Sequence, residues 1–368
     1  MRKFVISLLM CMLIGISVLA GCGSEQEVEQ EAAPVKISIY TYDDILDSSM
    51  NMLYESHADW KERVELVVIS KDEYDQKLKV ALYGEEKPEN EEQTGSGEET
   101  APPVYPDIFL ADTDELYGYV NAETVISMNE LGLTGDDMTQ MYQYTKDSVT
   151  DKDGNQWAVT WSIDPTAFIY NRAMAVEYLG SDDPRDVQSY IKDEHTKDDT
   201  LLAMKKKSGK EYRILDSFSQ YRDDRSKTTV FGFYCDMDGL MDEFASDIKL
   251  NLNDKWGVCK GTKDEMAAGP WLMVTKDCKD KELALNVIKE LCLNESVLKA
   301  KQEEKNNFVN NVRIMSNAFN TGKGKLDVLG SNDCMEIYDN RAKKATPINW
   351  EDLKPEETQE TTDGEQEG

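Results

Sequence analysis

Histidine is nearly absent from this 368-residue chain: His57 and His195 are the only two, and they lie in different regions. There is no HExxH and no Cys-x-x-Cys. A catalytic zinc site of the familiar kinds needs more imidazoles, or a Cys/His set at short spacing. Positive charge is scarce as well, with 41 Lys and Arg against 72 Asp and Glu and a formal net charge of −31. A field of that sign repels nucleic acid and anionic lipid surfaces, so nucleic-acid binding is set aside. It disfavours polyanionic ligands and suits neutral or cationic ones. Residues 151–155 hold too few oxygen ligands for an EF-hand loop. Long apolar runs are missing apart from residues 4–19, which fall short of the ~20 residues of a membrane span. No internal repeat is visible.

That one apolar run follows Arg2 and Lys3 and ends in small residues, the layout of a secretory signal. Leu19, Ala20, Gly21 and Cys22 then resemble the bacterial lipobox. The resemblance implies cleavage before Cys22, diacylation of its thiol and a protein tethered to the cell membrane, facing outward. Two acyl chains anchor durably where one is marginal. The other readings are an ordinary signal peptide with Cys22 incidental, or a transmembrane anchor. Cys11 leaves with the signal, and five cysteines remain: Cys235, Cys259, Cys278, Cys292 and Cys334. They read as buried free thiols, with one disulfide among the five as the alternative; an odd number leaves at least one unpaired in an oxidising compartment.

Residues 23–34 are acidic and nearly free of large apolar side chains, a flexible tether. Regular patterning then begins. Residues 35–40 and 64–69 read as strands, and residues 45–57 and 72–82 as helices, giving the β-α-β-α order of a parallel sheet flanked by helices. Residues 85–103 interrupt it with an acidic Gly/Ser/Pro-containing stretch, a disordered insertion. Residues 106–110 are a third strand, and short helices are expected over 115–120 and 136–145. A turn at 151–155 leads to a strand over 156–162, a bend at Asp164 and Pro165, a strand over 167–170 and a helix that Gly180 stops. Residues 183–225 are charged and only partly legible, with helical pieces at 186–192 and 200–207. Strands over 229–235 and 256–259 bracket a helix at 238–247. Residues 267–275 form a Gly-Pro turn entering a buried strand. In residues 281–293, Leu283, Ala284, Val287, Ile288 and Leu291 recur on one face of a helix. Another helix follows over 295–305, and the chain after Trp350 is acidic and structureless.

The order of these pieces resembles a family. Pro106, Asp107 and Ile108, then Tyr170, Asn171 and Arg172, then residues 271–276 followed by 281–289, stand as they do in the extracellular solute-binding proteins of bacterial ABC importers. The sugar-binding group that includes maltose-binding protein is the nearest. The resemblance covers roughly residues 35–319. It implies an α/β, two-lobed periplasmic-binding-protein-like fold of type II, each lobe a mainly parallel sheet flanked by helices, with a ligand cleft between. By the family's order, residues 1–21 are the signal, 22–34 the tether, 35–163 and 270–312 the first lobe, 164–269 and 313–350 the second, and 351–368 a disordered tail. Residues 183–225 are shorter and more charged than the family's helices there, and its C-terminal sugar-facing aromatic is represented only by Ile337, Tyr338 and Trp350.

Ligands of open parallel sheets sit beyond the carboxyl ends of the strands. That rule selects Tyr42, Asp43 and Asp44 after the first strand, Asp112 and Asp114 after the third, Trp161 and Asp164 in the crossing segment, Tyr234 and Asp236 at a second-lobe strand end, and Trp271 after the Gly-Pro turn. Sugars need carboxylates for their hydroxyl pairs and aromatic faces for the C–H face of the ring. The resemblance places Asp114 and Asp164 where family members contact sugar hydroxyls, and Trp256 and Trp271 are candidate stacking platforms. Against this, Trp157 and Tyr170 read as core, Asp107 as fixing a turn, and Asp136 and Asp137 as a helix cap.

These observations lead to a lipid-anchored receptor that delivers an oligosaccharide or other polyol to ABC permease subunits, a monomer with no cofactor and no catalytic set. The alternatives are a sensor or adhesin on the same fold and, further off, a glycan-acting enzyme using a pair such as Asp112 and Asp164.

Overall fold

A computed structural model describes residues 34–84, 104–224, 229–237, 239–240, 255–262, 266–305, 307–322, 329 and 334–354. The signal and lipobox with Cys22, most of the tether, the insertion at 85–103, nearly all of the 238–247 helix and the end of the tail lie outside the described residues.

In chain order the first elements are β1 (Ile37–Tyr42), α1 (Asp47–Ser56), α2 (Trp60–Arg63), β2 (Val64–Ile69), α3 (Lys71–Tyr83) and β3 (Ile108–Ala111). A 3-10 turn at Thr113–Glu115 leads to α4 (Leu116–Asn121), β4 (Val125–Ile126), α5 (Met128–Leu131) and α6 (Gln143–Asp147). Next come β5 (Ile163–Asp164), β6 (Thr166–Asn171), α7 (Arg172–Leu179), α8 (Pro184–Tyr190), α9 (Glu194–Ser208), β7 (Tyr212–Leu215), α10 (Phe218–Asp224) and β8 (Thr229–Asp236). The chain continues through β9 (Trp256–Cys259), β10 (Ala267–Ala268), β11 (Trp271–Thr275), α11 (Lys281–Cys292), α12 (Glu295–Lys305), α13 (Val312–Asn320) and α14 (Cys334–Ala342).

Two sheets organise the molecule. The first runs β2-β1-β3-β11-β4, and the second β7-β8-β6-β9. β1 and β3 are buried along almost their whole length and β11 entirely, as strands covered by helices on both faces must be. α11 lays Leu283, Ala284, Val287, Ile288 and Leu291 into the core. Its first turn is capped by Asp280, whose carboxylate accepts from Leu283 N at 2.9 Å and from Arg63 at 2.8 Å.

The expectation of mainly parallel sheets needs correction. In the first sheet β2, β1 and β3 are parallel, but β11 runs antiparallel to both β3 and β4. In the second only β7 and β8 are parallel, while β6 is antiparallel to β8 and to β9. The cause is the route of the chain. β6 leads away from the region between the sheets, whereas β8 and β9 return to it, since Asp236 ends opposite Thr166 and Cys259 opposite Phe168. β11 likewise leaves that region next to Ala111, where β3 ends.

Between the sheets, three chain segments lie side by side. β5 pairs antiparallel with β10. On its other flank, Ser162 bridges Val309, Ile163 N donates to Phe308 O at 3.2 Å and Asn310 N donates to Trp161 O at 2.8 Å. The Asn310 side chain fixes the crossing, accepting from Tyr142 N at 3.0 Å and donating to Thr145 Oγ1 and Thr160 O, each at 3.0 Å. Residues 156–162, expected as one strand, therefore make only isolated bridges, to Thr150, Leu272 and Val309 in turn. The helix expected over 136–145 is mostly turns, with α6 forming only at its end. Asp137 is not a helix cap. Its carboxylate closes a turn by accepting from Thr134 N and Oγ1 at 2.9 and 2.7 Å.

Residues 183–224 hold three helices and a strand. α9 opens with a capping box between Asp193 and Thr196 and closes on Gly209 at φ +75°, a conformation glycine adopts without strain. α14 packs on β6 and β9, with Tyr338 donating to Cys235 O at 2.8 Å, and Trp350 then meets Tyr117 of the first lobe. The five described cysteines are all buried.

Candidate functional site

The parallel strands β2, β1 and β3 end side by side, and each end delivers a different chemistry. Tyr42, last in β1, is half-buried and stands edge-on to Tyr74, ring centres 5.2 Å apart. Lys71 begins α3 directly after β2, and Asp112 follows β3. The Lys71 ammonium lies 2.7 Å from Asp112 Oδ2 and 4.0 Å from the centre of the Tyr42 ring. Burial works against the Lys71 charge, but its hydrogen bond to Asp112 and the nearby Tyr42 outweigh it, and its pKa stands above the ordinary lysine value. Burial likewise raises the Tyr42 phenol, with Lys71 opposing. An aromatic face, a carboxylate and an ammonium thus meet at one strand edge, the place where open sheets hold ligands. This combination can grip a polyhydroxyl ligand, since the carboxylate accepts, the ammonium donates and the ring covers C–H bonds.

Asp43 and Asp44 serve the turn beside this group. Asp43 sits at φ +47° and its carboxylate accepts from Lys71 N at 3.2 Å, so it positions the lysine. Asp44 is exposed and its carbonyl accepts from Asp47 N. Beyond Asp112, the Thr113 hydroxyl accepts from Trp271 Nε1 at 2.9 Å and donates to Ala268 O at 3.1 Å. The loop carrying Asp112 is thereby tied to β10 and the crossing. Asp164, in β5, is half-buried opposite Ala267. Tyr144 donates to Ala267 O at 3.1 Å, and its phenol is raised by burial and then by the charge of Asp164. Asp236, half-buried at the end of β8, accepts from Gly239 N.

The remaining expected residues stand elsewhere. Asp114 is exposed and lines a separate recess of about 460 Å³ with Lys79, Tyr83 and Tyr119. Four aromatics of the expected set, including the two candidate platforms Trp256 and Trp271, are enclosed. Trp271 has no exposed surface and its indole N–H is used by Thr113. Trp161 is buried, with the Lys301 ammonium 5.3 Å from its ring centre. Tyr234 packs on Phe168 at 5.5 Å, and its hydroxyl accepts from Thr262 N at 2.7 Å. Trp256 packs edge-on to Phe233 and Tyr221, at 5.2 and 5.4 Å. Strands covered on both faces turn their large aromatics into core, which removes these four as stacking surfaces in this conformation. Lys71 and Thr113 went unread in the sequence. Lys71 carried nearly the same signal as Asp112, standing two residues after a parallel strand. Among the described residues, no group of three or more His, Cys, Asp and Glu side chains is placed to hold a metal ion.

No protein-family model matches the chain, and no curated protein matches it in sequence. Solved structures match it in fold. An extracellular solute-binding protein of family 1 superposes with a TM-score of 0.66 at 15% identity, over 86% of this chain and 89% of its own. The cyclic α-maltosyl-1,6-maltose binding protein of Arthrobacter globiformis gives 0.57 at 13%, over 86% and 89%. The sugar-binding protein MalE of Xanthomonas citri gives 0.57 at 13%, over 86% and 88%. The chain has the two-lobed α/β fold of the family 1 solute-binding proteins.

Proposed function

We propose that this protein is a receptor that holds a carbohydrate, an oligosaccharide or polyol, between its lobes and presents it to the permease of an ABC importer, tethered to the outer face of the cell membrane through lipid on Cys22. The observation that carries the reading is the Tyr42, Lys71 and Asp112 group at three parallel strand ends, tied through Thr113 to the segment where the lobes meet. The named binding proteins among the structural neighbours support it. In this reading the protein performs no chemistry. Ligand shifts the population toward a closed arrangement because it contacts both lobes there and one lobe otherwise.

Thermal unfolding of the purified protein against a panel of mono- and oligosaccharides tests this. A sugar present at 100 times its Kd adds ~2.7 kcal/mol of stability and raises the midpoint by several degrees. A broad panel with no shift at millimolar concentration overturns the carbohydrate assignment. The tether is tested separately: Cys22→Ala is expected in the medium with its sugar response intact, and retention of that variant on the membrane refutes lipidation.

A further inference from the structure

The C-terminal segment is fastened to both lobes. Its helix α14 packs on β6 and β9 of the second, where Tyr338 donates to Cys235 O at 2.8 Å. Asp339, the next residue, reaches the other way. Its Oδ1 accepts from the Tyr142 hydroxyl at 2.6 Å, and its Oδ2 lies 2.6 Å from Lys343 Nζ. Asp339 and Tyr142 are each 1% exposed. The Tyr142 N–H donates to Asn310 Oδ1 at 3.0 Å, so this pair stands beside the segment that crosses between the lobes. The chain beyond α14 then runs onto the first lobe. Ile348 N donates to Ser148 Oγ at 2.9 Å. Trp350 is 7% exposed, and its ring centre is 6.0 Å from that of Tyr117 in α4. The Lys354 ammonium lies 5.7 Å from the centre of the same Tyr117 ring.

These contacts tie the arrangement of the lobes to buried chemistry. A carboxylate this deep is tolerated only with its partners in place, and drawing α14 away from Tyr142 would strand it together with a buried phenol. Motion of one lobe on the other is therefore cheapest when it turns about this pair and leaves the bond made. The far end of the segment is held differently. Trp350 is rooted in the second lobe through α14 yet seated on α4 of the first, mainly by apolar contact. A turn of the lobes displaces the indole from that seat and exposes it to water, which favours the arrangement in which it stays covered.

We propose that residues 343–354 form a strap that biases the hinge toward the arrangement seen here, with the Tyr142–Asp339 pair as its pivot and Trp350, seated against Tyr117, as the end that is released when the lobes move. The inference rests on the two-lobed fold and goes beyond the receptor reading, whatever ligand the cleft takes.

Distances between two nitroxide labels, measured by pulsed electron paramagnetic resonance on the ligand-free Cys22→Ala protein, test this. The labels sit at Gln76→Cys on α3 of the first lobe and Ala203→Cys on α9 of the second, both exposed positions. The same protein without the engineered pair gives the background from its buried cysteines. Trp350→Ala is expected to change the ratio of lobe arrangements about tenfold or more, the scale of one buried aromatic contact, seen as a second distance or a displaced maximum. Tyr142→Phe keeps the ring but takes the hydroxyl from Asp339, and is expected to broaden the distribution. Tyr190→Ala removes an exposed tyrosine of the second lobe and should leave the distances as they were. If Trp350→Ala does not fold, Ser148→Ala, which removes the acceptor of Ile348 N, carries the same expectation. Unaltered distances in the folded strap variants, with melting midpoints as the check on folding, overturn the proposal, and so does an equal change in Tyr190→Ala. No sugar enters the measurement, so its failure leaves the carbohydrate reading untouched, and a silent sugar panel leaves the strap untouched.

Discussion

Asp107 is the residue whose removal should damage the first lobe most. It precedes β3 and is fully buried. Its Oδ2 accepts from Ser38 N at 2.8 Å and from Ser38 Oγ at 3.2 Å; its Oδ1 accepts from Lys279 N at 2.7 Å; and Lys279 Nζ lies 3.1 Å from Oδ2. One carboxylate thus joins the start of β1, the start of β3 and the turn between β11 and α11. Asp107→Ala leaves the N–H groups of Ser38 and Lys279 without their acceptor, at ~1–3 kcal/mol each. The Lys279 ammonium is half-exposed and returns to water, so it adds little. The total is ~2–6 kcal/mol, a large part of the ~5–15 kcal/mol that holds a domain folded. Asp107→Asn keeps one acceptor oxygen and turns an amide N–H₂ toward the other donor, so it should cost less than alanine yet remain clearly destabilising. Guanidinium unfolding followed by circular dichroism reads both variants as shifts in midpoint at unchanged slope. A cost below ~1 kcal/mol for Asp107→Ala would refute the claim that this carboxylate ties the three segments together.

Three further outcomes are expected. Asp112→Asn and Lys71→Ala should change stability by ~1 kcal/mol or less, because both side chains are over 40% exposed, yet weaken any sugar found in the screen by roughly ten- to a hundredfold; unchanged affinity would remove the group from the ligand site. Bonds from Thr134 and then Lys289 hold the Asp137 carboxyl down from 3.8 to about 2, so its contribution is complete above pH ~4 and is lost as pH falls toward 2; with solvent screening it amounts to ~1 kcal/mol or less, and Asp137→Asn should flatten unfolding midpoints in that window alone. Burial pushes the thiols of Cys259 and Cys278 up to about 12 and 11, and that of Cys292 higher; iodoacetamide at pH 8 should leave these three unlabelled in the native protein and modify them after unfolding, and rapid native labelling of Cys259 or Cys292 would contradict their burial.

The fold was most legible where one local rule acted alone. The period of α11 is visible because its apolar face meets a single core and its cap, Asp280, precedes it. β3 and β11 are visible as apolar runs because both their faces are covered, and β1 as an alternation of apolar and polar residues. Strand direction was not legible in the same way. Whether a strand runs with its neighbour depends on how the chain re-enters the sheet, and β8, β9 and β11 re-enter through or beside the crossing. β7 escaped notice because it is four residues long, at a sheet edge and interrupted by the exposed Arg213. Residues 156–162 are apolar and β-branched enough to read as a strand, yet their partners lie in three different places, and local composition does not record partnership.

The site follows the same division. The strand-end rule found Tyr42 and Asp112 because it needs only the order of elements. It offered Tyr234 and Trp271 by the same logic, but a side chain next to a strand end can turn into the core or out of it, and sequence does not say which. Large aromatics near covered strands turn inward because enclosing so much apolar surface favours folding more than leaving it at a cleft. Tyr42 is the exception for a structural reason: the Lys71 ammonium over its face and the Tyr74 ring at its edge already satisfy it where it stands. The unread residue, Lys71, makes the site coherent. In a chain of net charge −31, a strand-end carboxylate without a nearby cation would face repulsion from its own protein, and Lys71 offsets it. A search for sugar-binding carboxylates in so acidic a sequence therefore does better to look first for the few cations, because they mark which carboxylates the fold has arranged.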